Sequence, residues 1–138
     1  MNRIALLVFL LLPLTLSVLA GSNVVDPEKR NITLSEAAHL YRRGYLFVDA
    51  RSSEDYSDGH IRKAFSLSVN DFDKRIKEFK KCYADTVSMV VYCSGTECSD
   101  SHDLCEKLYR SGYFNIRVFV DGFPAWQAAG FPVDTTSK

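Results

Sequence analysis

Short apolar runs are interspersed with amphipathic helical patterns along most of this chain. The apolar runs lie at residues 46–48, 64–69, 87–92 and 116–120, and the helical patterns at residues 34–43, 71–81, 98–110 and 124–129. Strands and helices at this spacing predict a parallel sheet that is covered by helices on both faces. We therefore predict an α/β fold, doubly wound, with a central parallel sheet flanked by helices. In such folds the binding crevice lies beyond the carboxyl ends of the strands.

A cysteine stands at one of these strand ends. Cys93 follows the apolar run at 87–92, and a glycine-containing loop and a helical pattern come after it. This order places the thiol at the carboxyl end of a buried strand, where it faces the amino end of a helix. Backbone N–H groups and the helix dipole favour negative charge there, so the sequence predicts that Cys93 is a nucleophile. Asp49 and Asp121 also follow apolar runs and should lie at the same edge of the sheet.

The first helix carries signals at both ends. Thr33 is followed three residues later by Glu36, which is the capping-box arrangement. Gly44 follows the helical pattern and is typical of a residue that ends a helix. A helix over residues 34–43 is predicted.

Composition limits the classes of partner. The chain has 17 basic and 17 acidic side chains, and no basic stripe is visible. Nucleic-acid binding is therefore not predicted. With 46% hydrophobic residues in a chain of 138, one domain with its own core is expected.

The amino terminus predicts export. Residues 4–20 carry no charge, follow Arg3 directly and end in Val18-Leu19-Ala20, which is the pattern of a secretory signal peptide. A retained membrane anchor is the alternative, since the run approaches spanning length. We expect a signal peptide at 1–20, a linker at 21–29, a domain at 30–134 and a tail at 135–138. The domain would be periplasmic or extracellular, and it would contact a membrane only if the first segment is retained.

Three separated segments resemble the signatures of rhodanese-like domains. Residues 47–51 (Phe-Val-Asp-Ala-Arg), with Tyr56 and residues 59–61 (Gly-His-Ile), resemble the first signature. Residues 92–98 (Tyr-Cys-Ser-Gly-Thr-Glu-Cys) resemble the active-site loop. Residues 121–126 (Asp-Gly-Phe-Pro-Ala-Trp) and 130–133 (Gly-Phe-Pro-Val) resemble the closing signature. The resemblance covers roughly residues 30–133 and implies the rhodanese fold and sulfurtransferase chemistry.

The resemblance also implies a mechanism. Cys93 would attack the outer sulfur of thiosulfate or a persulfide and hold it as a cysteine persulfide, until a thiol or cyanide acceptor removes it. The donor and acceptor would be small molecules, and no cofactor or metal would be needed. The binding loop, with its backbone N–H donors, would consist of Ser94, Gly95, Thr96, Glu97, Cys98 and Ser99. Asp49, Arg51 and His60 would support the structure rather than react.

The length of the loop argues against phosphatase chemistry. Residues 93–98 resemble the six-residue loop that holds a single sulfur atom, whereas the related phosphatases have one more residue and an arginine that binds phosphate. No arginine occurs between Cys93 and Arg110. Phosphoryl transfer is not predicted.

Two loop residues depart from the family pattern. Glu97 stands in a loop where many members have a basic residue, and it should repel a dianion, so thiosulfate should be a poorer donor than a less charged persulfide. Cys98 supplies a second thiol. It could attack the Cys93 persulfide, release sulfide and close a disulfide, which would require an exported thiol reductant. The alternative is that Cys98 is only a small polar helix cap.

Other functions stay open. One is a dithiol redox protein that uses Cys93 and Cys98, and another is a sulfur carrier or binding module without fast turnover. A metal site made of Cys93, Cys98, His102 and Cys105 is disfavoured, because Cys105 falls on an apolar helical stripe and should be a buried thiol. The disulfide pattern of these cysteines and Cys82 is not fixed by the sequence.

Overall fold

The computed structural model describes residues 27–136. After a 3-10 turn at Pro27–Arg30, the strands are β1 (Asn31–Ile32), β2 (Leu46–Asp49), β3 (His60–Ile61), β4 (Phe65–Ser66), β5 (Met89–Tyr92), β6 (Ile116–Phe119) and β7 (Val133–Asp134). The helices are α1 (Leu34–Arg42), α2 (Ser53–Asp58), α3 (Phe72–Cys82), α4 (Asp100–Arg110) and α5 (Gly122–Ala128). Within this range, no helix combines the length and apolar character that crossing a membrane requires.

The five strands of the main sheet run in the order β1-β6-β5-β2-β4, and every neighbouring pair is parallel. Asp49 of β2 is in register with Tyr92 of β5, and Tyr92 is in register with Phe119 of β6. The carboxyl ends of the three central strands are therefore level. Cys93, the next residue after β5, lies at this edge beside Asp49. The predicted parallel sheet is confirmed, and Cys93 lies at the carboxyl edge of the sheet, as the strand–loop–helix order predicts.

Successive strand residues face opposite sides of the sheet and build two cores. Val48, Val91 and Val118 belong to one core, together with apolar residues of α3 and α4. Phe47 and Val90 belong to the other, together with residues of α1 and α5. Because both faces are covered, the predicted doubly wound arrangement is confirmed.

The first helix is capped as the sequence predicts. The Glu36 N–H donates to Thr33 Oγ1 at 3.4 Å, and the Thr33 N–H donates to Glu36 Oε2 at 2.8 Å. Gly44 follows the helix with a φ of +80°, a left-handed conformation in which glycine has no steric penalty. The two reciprocal bonds satisfy N–H groups that the first turn would otherwise leave unpaired.

Several boundaries differ from the expectation. The strand predicted at 64–69 contains only Phe65 and Ser66, because Ser68 begins the hydrogen-bonded turn that leads into α3. The helix predicted from Cys98 begins at Asp100, because the Cys98 N–H is used inside the preceding loop. Helix α2 has no buried residue and so shows no apolar periodicity. The antiparallel ribbon of β3 and β7 is too short to produce a sequence pattern.

Candidate active site

The Cys93 side chain is enclosed by the loop that follows β5. Only 1% of the residue is exposed. Its Sγ lies 3.3 Å from the Cys98 carbonyl oxygen, 3.7 Å from the Gly95 carbonyl oxygen and 3.4 Å from Ser101 Oγ. All three neighbours can accept a hydrogen bond, so this arrangement suits a protonated thiol that donates.

The loop curls back on itself. Gly95 has a φ of +127°, and the Cys98 N–H donates to the Gly95 carbonyl at 3.1 Å. Backbone N–H groups of Ser94 and Asp100 face the Cys98 thiol and lower its pKa, but burial and the neighbouring Cys93 thiol outweigh them and raise it. The N–H donors of the loop are predicted to bind the persulfide form of Cys93, which accepts hydrogen bonds, unlike the resting thiol. Their role stays a prediction.

The first residues of α5 pack against the Cys93 loop. The Phe123 N–H donates to the Cys93 carbonyl oxygen at 2.9 Å. Gly122 has a φ of +66°, and a Cβ on it would lie 2.5 Å from the Gly95 nitrogen. The closing signature of the sequence therefore packs directly against the Cys93 loop.

Asp49 and Arg51 form a buried ion pair at the same edge. Asp49 is fully buried, and its carboxylate accepts from Arg51 Nε at 3.0 Å and from Arg51 Nη2 at 2.7 Å. Nη2 also donates to the Gly59 carbonyl at 2.6 Å. Burial alone would lower the pKa of the Arg51 guanidinium, but the hydrogen bonds and charge of Asp49 raise it. Arg51 stays a cation in a site where a neutral side chain would leave Asp49 unpaired.

Phe123 connects this ion pair to Cys93. The Arg51 guanidinium lies 4.3 Å from the centre of the Phe123 ring, and Phe123 in turn holds the Cys93 carbonyl. Tyr92 adds to the same layer, since its hydroxyl accepts from the Ile61 N–H at 3.1 Å. Burial, with the nearby Asp49 carboxylate, raises the pKa of Tyr92 far above its ordinary value.

His60 lies in a different environment from the loop. Its ring stacks on Tyr56 with centroids 3.7 Å apart, and its Nδ1 lies 2.8 Å from the Tyr56 carbonyl oxygen. A carbonyl oxygen accepts, so Nδ1 carries the hydrogen. These contacts connect α2 to the β3 ribbon, and His60 lines neither of the two clefts beside the loop.

Two clefts flank the loop. The larger, of about 570 Å³, is lined by Ser94, Gly95, Thr96, Glu97, Cys98, Asp121, Pro124 and Ala125. The smaller, of about 280 Å³, is lined by Asn31, Gly95, Thr96, Cys98, Ser101, His102 and Val120. Cys98 thus lines both clefts. Among the described residues, no lysine or arginine lines either cleft. The carboxylates of Glu97 and Asp121 give the larger cleft a negative charge.

Two residues near the loop, Ser101 and Asn31, were not predicted from the sequence to lie at the site. Ser101 is 1% exposed and contacts the Cys93 sulfur. Its signal was present, because Ser101 shares the buried stripe of α4 with Leu104, Cys105 and Leu108 at the spacing of one helical face. Asn31 Oδ1 accepts from His102 Nε2 at 3.0 Å, a contact across the fold that no local pattern predicts.

Cys105 is held apart from the loop. It is 2% exposed, and Arg30 Nη1 lies 3.4 Å from its sulfur. Burial raises the pKa of the Cys105 thiol, and the Arg30 charge offsets only part of this effect. Between residues 27 and 136, no group of three or more His, Cys, Asp or Glu side chains is arranged to hold a metal ion.

The fold and the site together define a class: α/β domains in which a buried cysteine follows the central strand of a parallel sheet and faces a helix. The family model of the Rhodanese-like domain matches residues 33–129. The chain belongs to the rhodanese-like domain family.

Individual relatives carry different functions. The chain is 30% identical over 110 residues to the dual specificity phosphatase Cdc25 of Arabidopsis thaliana, covering 74% of this chain and 75% of the relative. It is 26% identical over 107 residues to the thiosulfate sulfurtransferase GlpE of Haemophilus influenzae, covering 78% and 96%. The solved rhodanese-like domain of Alr3790 from Anabaena superposes with a TM-score of 0.61 at 23% identity, covering 77% and 79%.

Proposed function

We propose that this protein is an exported sulfurtransferase that moves a sulfane sulfur from a persulfide or thiosulfate to a thiol, through a persulfide on Cys93. The observation that carries this proposal is the enclosure of the Cys93 sulfur by its own six-residue loop at the functional edge of the sheet. A loop of this length resembles the six-residue loop that holds a single sulfur atom. The similarity to a thiosulfate sulfurtransferase supports the same reaction class.

The reaction consists of two displacements at sulfur. The Cys93 thiolate attacks the outer sulfur of the donor, the sulfur–sulfur bond of the donor breaks, and its electron pair leaves on the donor's remaining thiolate or sulfite. The acceptor thiolate then attacks the outer sulfur of the Cys93 persulfide, and the Cys93 thiolate leaves. No net oxidation or reduction of the protein occurs, because the sulfane sulfur is only passed on.

The first turn of α4 is the region that favours the charged intermediate. Ser99 precedes the helix without a side-chain cap bond, and the His102 N–H already donates to the Ser99 carbonyl oxygen at 2.9 Å, so the Asp100 and Ser101 N–H groups are the first-turn donors proposed to face the intermediate. Ser101 Oγ, at 3.4 Å from the Cys93 sulfur, can also reverse its role and donate to an anion. These donors replace the water that burial has removed from the sulfur.

The charge of the larger cleft selects among donors. Glu97 and Asp121 line it, and no basic side chain of the described chain opposes them. A thiosulfate dianion would be repelled at this mouth, whereas a neutral or singly charged persulfide would be repelled less. A small persulfide is therefore the proposed donor class, with thiosulfate as a weaker substitute.

A phosphatase function is not proposed, although one relative is named as a phosphatase. Phosphate in such a loop is bound by an arginine. This chain has no arginine between Cys93 and Arg110, and carboxylates line the cleft instead.

The proposed location outside the cytosol depends on residues 1–20, which lie outside the described residues. It is tested by fractionating source cells and sequencing the amino terminus of the protein. A chain that is found outside the cytosol and begins at Gly21 would support export and cleavage. A cytosolic chain that still begins at Met1 would contradict both.

The activity is tested with full-length protein by measuring thiocyanate formation from a small alkyl persulfide or thiosulfate with cyanide in excess. Repeated turnover in the wild type, its loss in Cys93→Ser and its retention in Cys82→Ser are expected, since Cys82 is exposed at the end of α3. A single burst of one thiocyanate per chain would instead indicate a sulfur carrier. No thiocyanate with either donor would reject the proposal.

A further inference from the structure

The loop that encloses Cys93 brings a second thiol to the same place. The Cys98 N–H donates to the Gly95 carbonyl at 3.1 Å, and this turn folds the loop back on its first residue. As a result, the Cys98 carbonyl oxygen lies 3.3 Å from the Cys93 sulfur. Burial and the nearby Cys93 thiol raise the pKa of the Cys98 thiol. The two residues that begin and end the loop are therefore neighbours.

The two thiols differ in accessibility. Cys93 is 1% exposed, whereas Cys98 is half-buried and lines both clefts beside the loop. Cys93 itself lines neither cleft, so a donor that enters either cleft meets Cys98 in its lining. Cys98 is therefore the more accessible of the two thiols.

The surroundings of Cys98 allow it to become a nucleophile in turn. Burial raises the pKa of the Cys98 thiol, and the N–H groups of Ser94 and Asp100, which stabilise negative charge on its sulfur, offset part of this effect. Its position just before α4 adds the helix dipole. When a persulfide forms on Cys93, its sulfur–sulfur bond lies beside Cys98. Cys98 can attack this bond once its thiol has lost the proton.

The other two cysteines cannot take this part. The chain has four cysteines, and all of them lie within the described residues. Cys105 is 2% exposed, and its sulfur contacts Arg30. Cys82 is the last residue of α3 and lines neither cleft beside the loop. Cys98 is thus the single thiol that is placed to act on Cys93.

We propose that Cys98 is a resolving thiol that converts the Cys93 persulfide into free sulfide and a Cys93–Cys98 disulfide, which adds a sulfide-releasing activity to the sulfurtransferase. This inference rests on the proposed function, because it begins from the persulfide. The Cys98 thiolate attacks Sγ of Cys93, a new sulfur–sulfur bond joins the two cysteines, and the bond to the outer sulfur breaks. The outer sulfur leaves with the electron pair as hydrosulfide.

The cycle needs a reductant. The disulfide holds two oxidising equivalents that came from the sulfane sulfur of the donor. A dithiol reductant in the same compartment returns both cysteines to thiols and is itself oxidised to a disulfide. The protein's partner in this activity would be a small dithiol or a dithiol protein, rather than a thiol that carries the sulfur away.

The test uses reduced full-length protein with one equivalent of a small alkyl persulfide and no reductant. In the wild type we expect release of close to one equivalent of sulfide, a mass loss of two hydrogens and a crosslinked Cys93–Cys98 peptide. In Cys98→Ser we expect a lasting gain of one sulfur on the Cys93 peptide and at least a tenfold slower release of sulfide. Cys82→Ser is the matched control and should behave as the wild type. Dithiothreitol should restore sulfide release in the oxidised wild type.

Each alternative outcome has a separate meaning. If the wild type keeps its added sulfur on Cys93 for as long as Cys98→Ser does, or if the sulfur is found on Cys98, the resolving role is overturned while sulfur transfer stands. If neither the wild type nor Cys98→Ser gains sulfur or forms thiocyanate with cyanide, the proposed function itself fails, and this inference fails with it.

Discussion

The backbone of Gly122 packs against the carbonyl oxygen of Cys93 so closely that no side chain fits between them. A Cβ at Gly122 would collide with that oxygen and lie 2.5 Å from the Gly95 nitrogen. Both neighbours are backbone atoms, which cannot rotate away as a flexible side chain can. Gly122, the first residue of α5, therefore determines how closely the loop of residues 93–95 packs against this helix.

Gly122→Ala should disable the loop. The φ of Gly122 is +66°, which alanine adopts only with strain, and the added methyl group would push residues 93–95 outward. We expect a loss of about 2–3 kcal/mol in the free energy of unfolding and at least a tenfold loss of kcat/KM for sulfur transfer. Denaturant unfolding and the thiocyanate assay measure the two effects.

Gly130→Ala separates strain from collision. Gly130 has a similar φ of +72°, but a Cβ there would meet no atom within 4 Å. This variant should lose about 1 kcal/mol of stability from backbone strain alone and keep its sulfurtransferase activity. Equal losses of activity in both variants would show that strain, rather than contact with the Cys93 loop, is responsible.

Asp49→Asn should destabilise the whole carboxyl edge of the sheet. The carboxylate is fully buried and accepts from Arg51 Nη2 at 2.7 Å, so its neutralisation leaves a buried guanidinium without its counter-charge. We expect a loss of about 3 kcal/mol in the free energy of unfolding. The loss should be accompanied by lower activity, because Arg51 packs on Phe123, which holds the Cys93 carbonyl.

Asp134→Asn is the matched control for this ion pair. Asp134 accepts from Arg62 Nε at 2.9 Å, but both side chains are about half exposed, at 41% and 51%. Water and salt screen such a pair, so its removal should leave the free energy of unfolding nearly unchanged. An equal effect of the two substitutions in chemical unfolding would refute the distinction between the buried and the exposed pair.

The sequence predicted the parts of this fold that depend on local patterns. The Thr33 cap, the helix end before Gly44 and the apolar runs at the central strands all leave periodic or positional signals. The position of Cys93 at the sheet edge followed from the strand–loop–helix order alone. Helix α2 shows no apolar periodicity because none of its residues is buried, and its signals are limited to the Ser52 cap and Gly59. The β3–β7 ribbon pairs two-residue strands that are distant in the sequence, so no local pattern predicts it.

The candidate site was also predictable only in part. The loop residues and the Asp49–Arg51 pair were identified from the family resemblance, which contains no distances. The contacts of individual side chains were not predictable from the sequence. The Cys93 sulfur contacts a carbonyl oxygen, and Arg30 contacts Cys105, only because the folded chain brings these groups together. The burial of Ser101 could have been predicted, because the sequence places this polar residue on the same helical face as the apolar residues of α4.

Glu97→Arg should improve thiosulfate as a donor. Glu97 is exposed at the mouth of the larger cleft, where it and Asp121 repel a dianion. Reversal of this charge should lower the KM for thiosulfate roughly 5- to 10-fold at low salt and change the KM for a neutral persulfide little. Steady-state kinetics with both donors, at low and high salt, measure the difference.

Asp85→Arg makes the same change of net charge far from the cleft. Asp85 is exposed in the turn that precedes β5, at the opposite end of that strand from Cys93. It should leave the KM for thiosulfate within about twofold of the wild type. If Asp85→Arg improves thiosulfate use as much as Glu97→Arg does, overall charge rather than the cleft decides donor preference.

Sulfide release should accelerate with rising pH. Burial and the neighbouring Cys93 thiol raise the pKa of Cys98 above its ordinary value, so the Cys98 thiol is mostly protonated at neutral pH. The attacking species is the thiolate, whose fraction grows about tenfold per pH unit below the pKa. In single-turnover measurements on preloaded protein, the rate should therefore rise with pH and level off only above the pKa of Cys98.

The charged groups around Cys98 provide the check on this assignment. Glu97 from the same loop and Asp121 after β6 oppose a thiolate, while His102 on α4 lies in the second cleft. Glu97→Gln removes one negative charge and should shift the rising limb of the rate profile to lower pH, because the Cys98 thiolate then forms more readily. A profile that is the same in Glu97→Gln, or that persists unchanged in Cys98→Ser, would show that another group controls the release of sulfide.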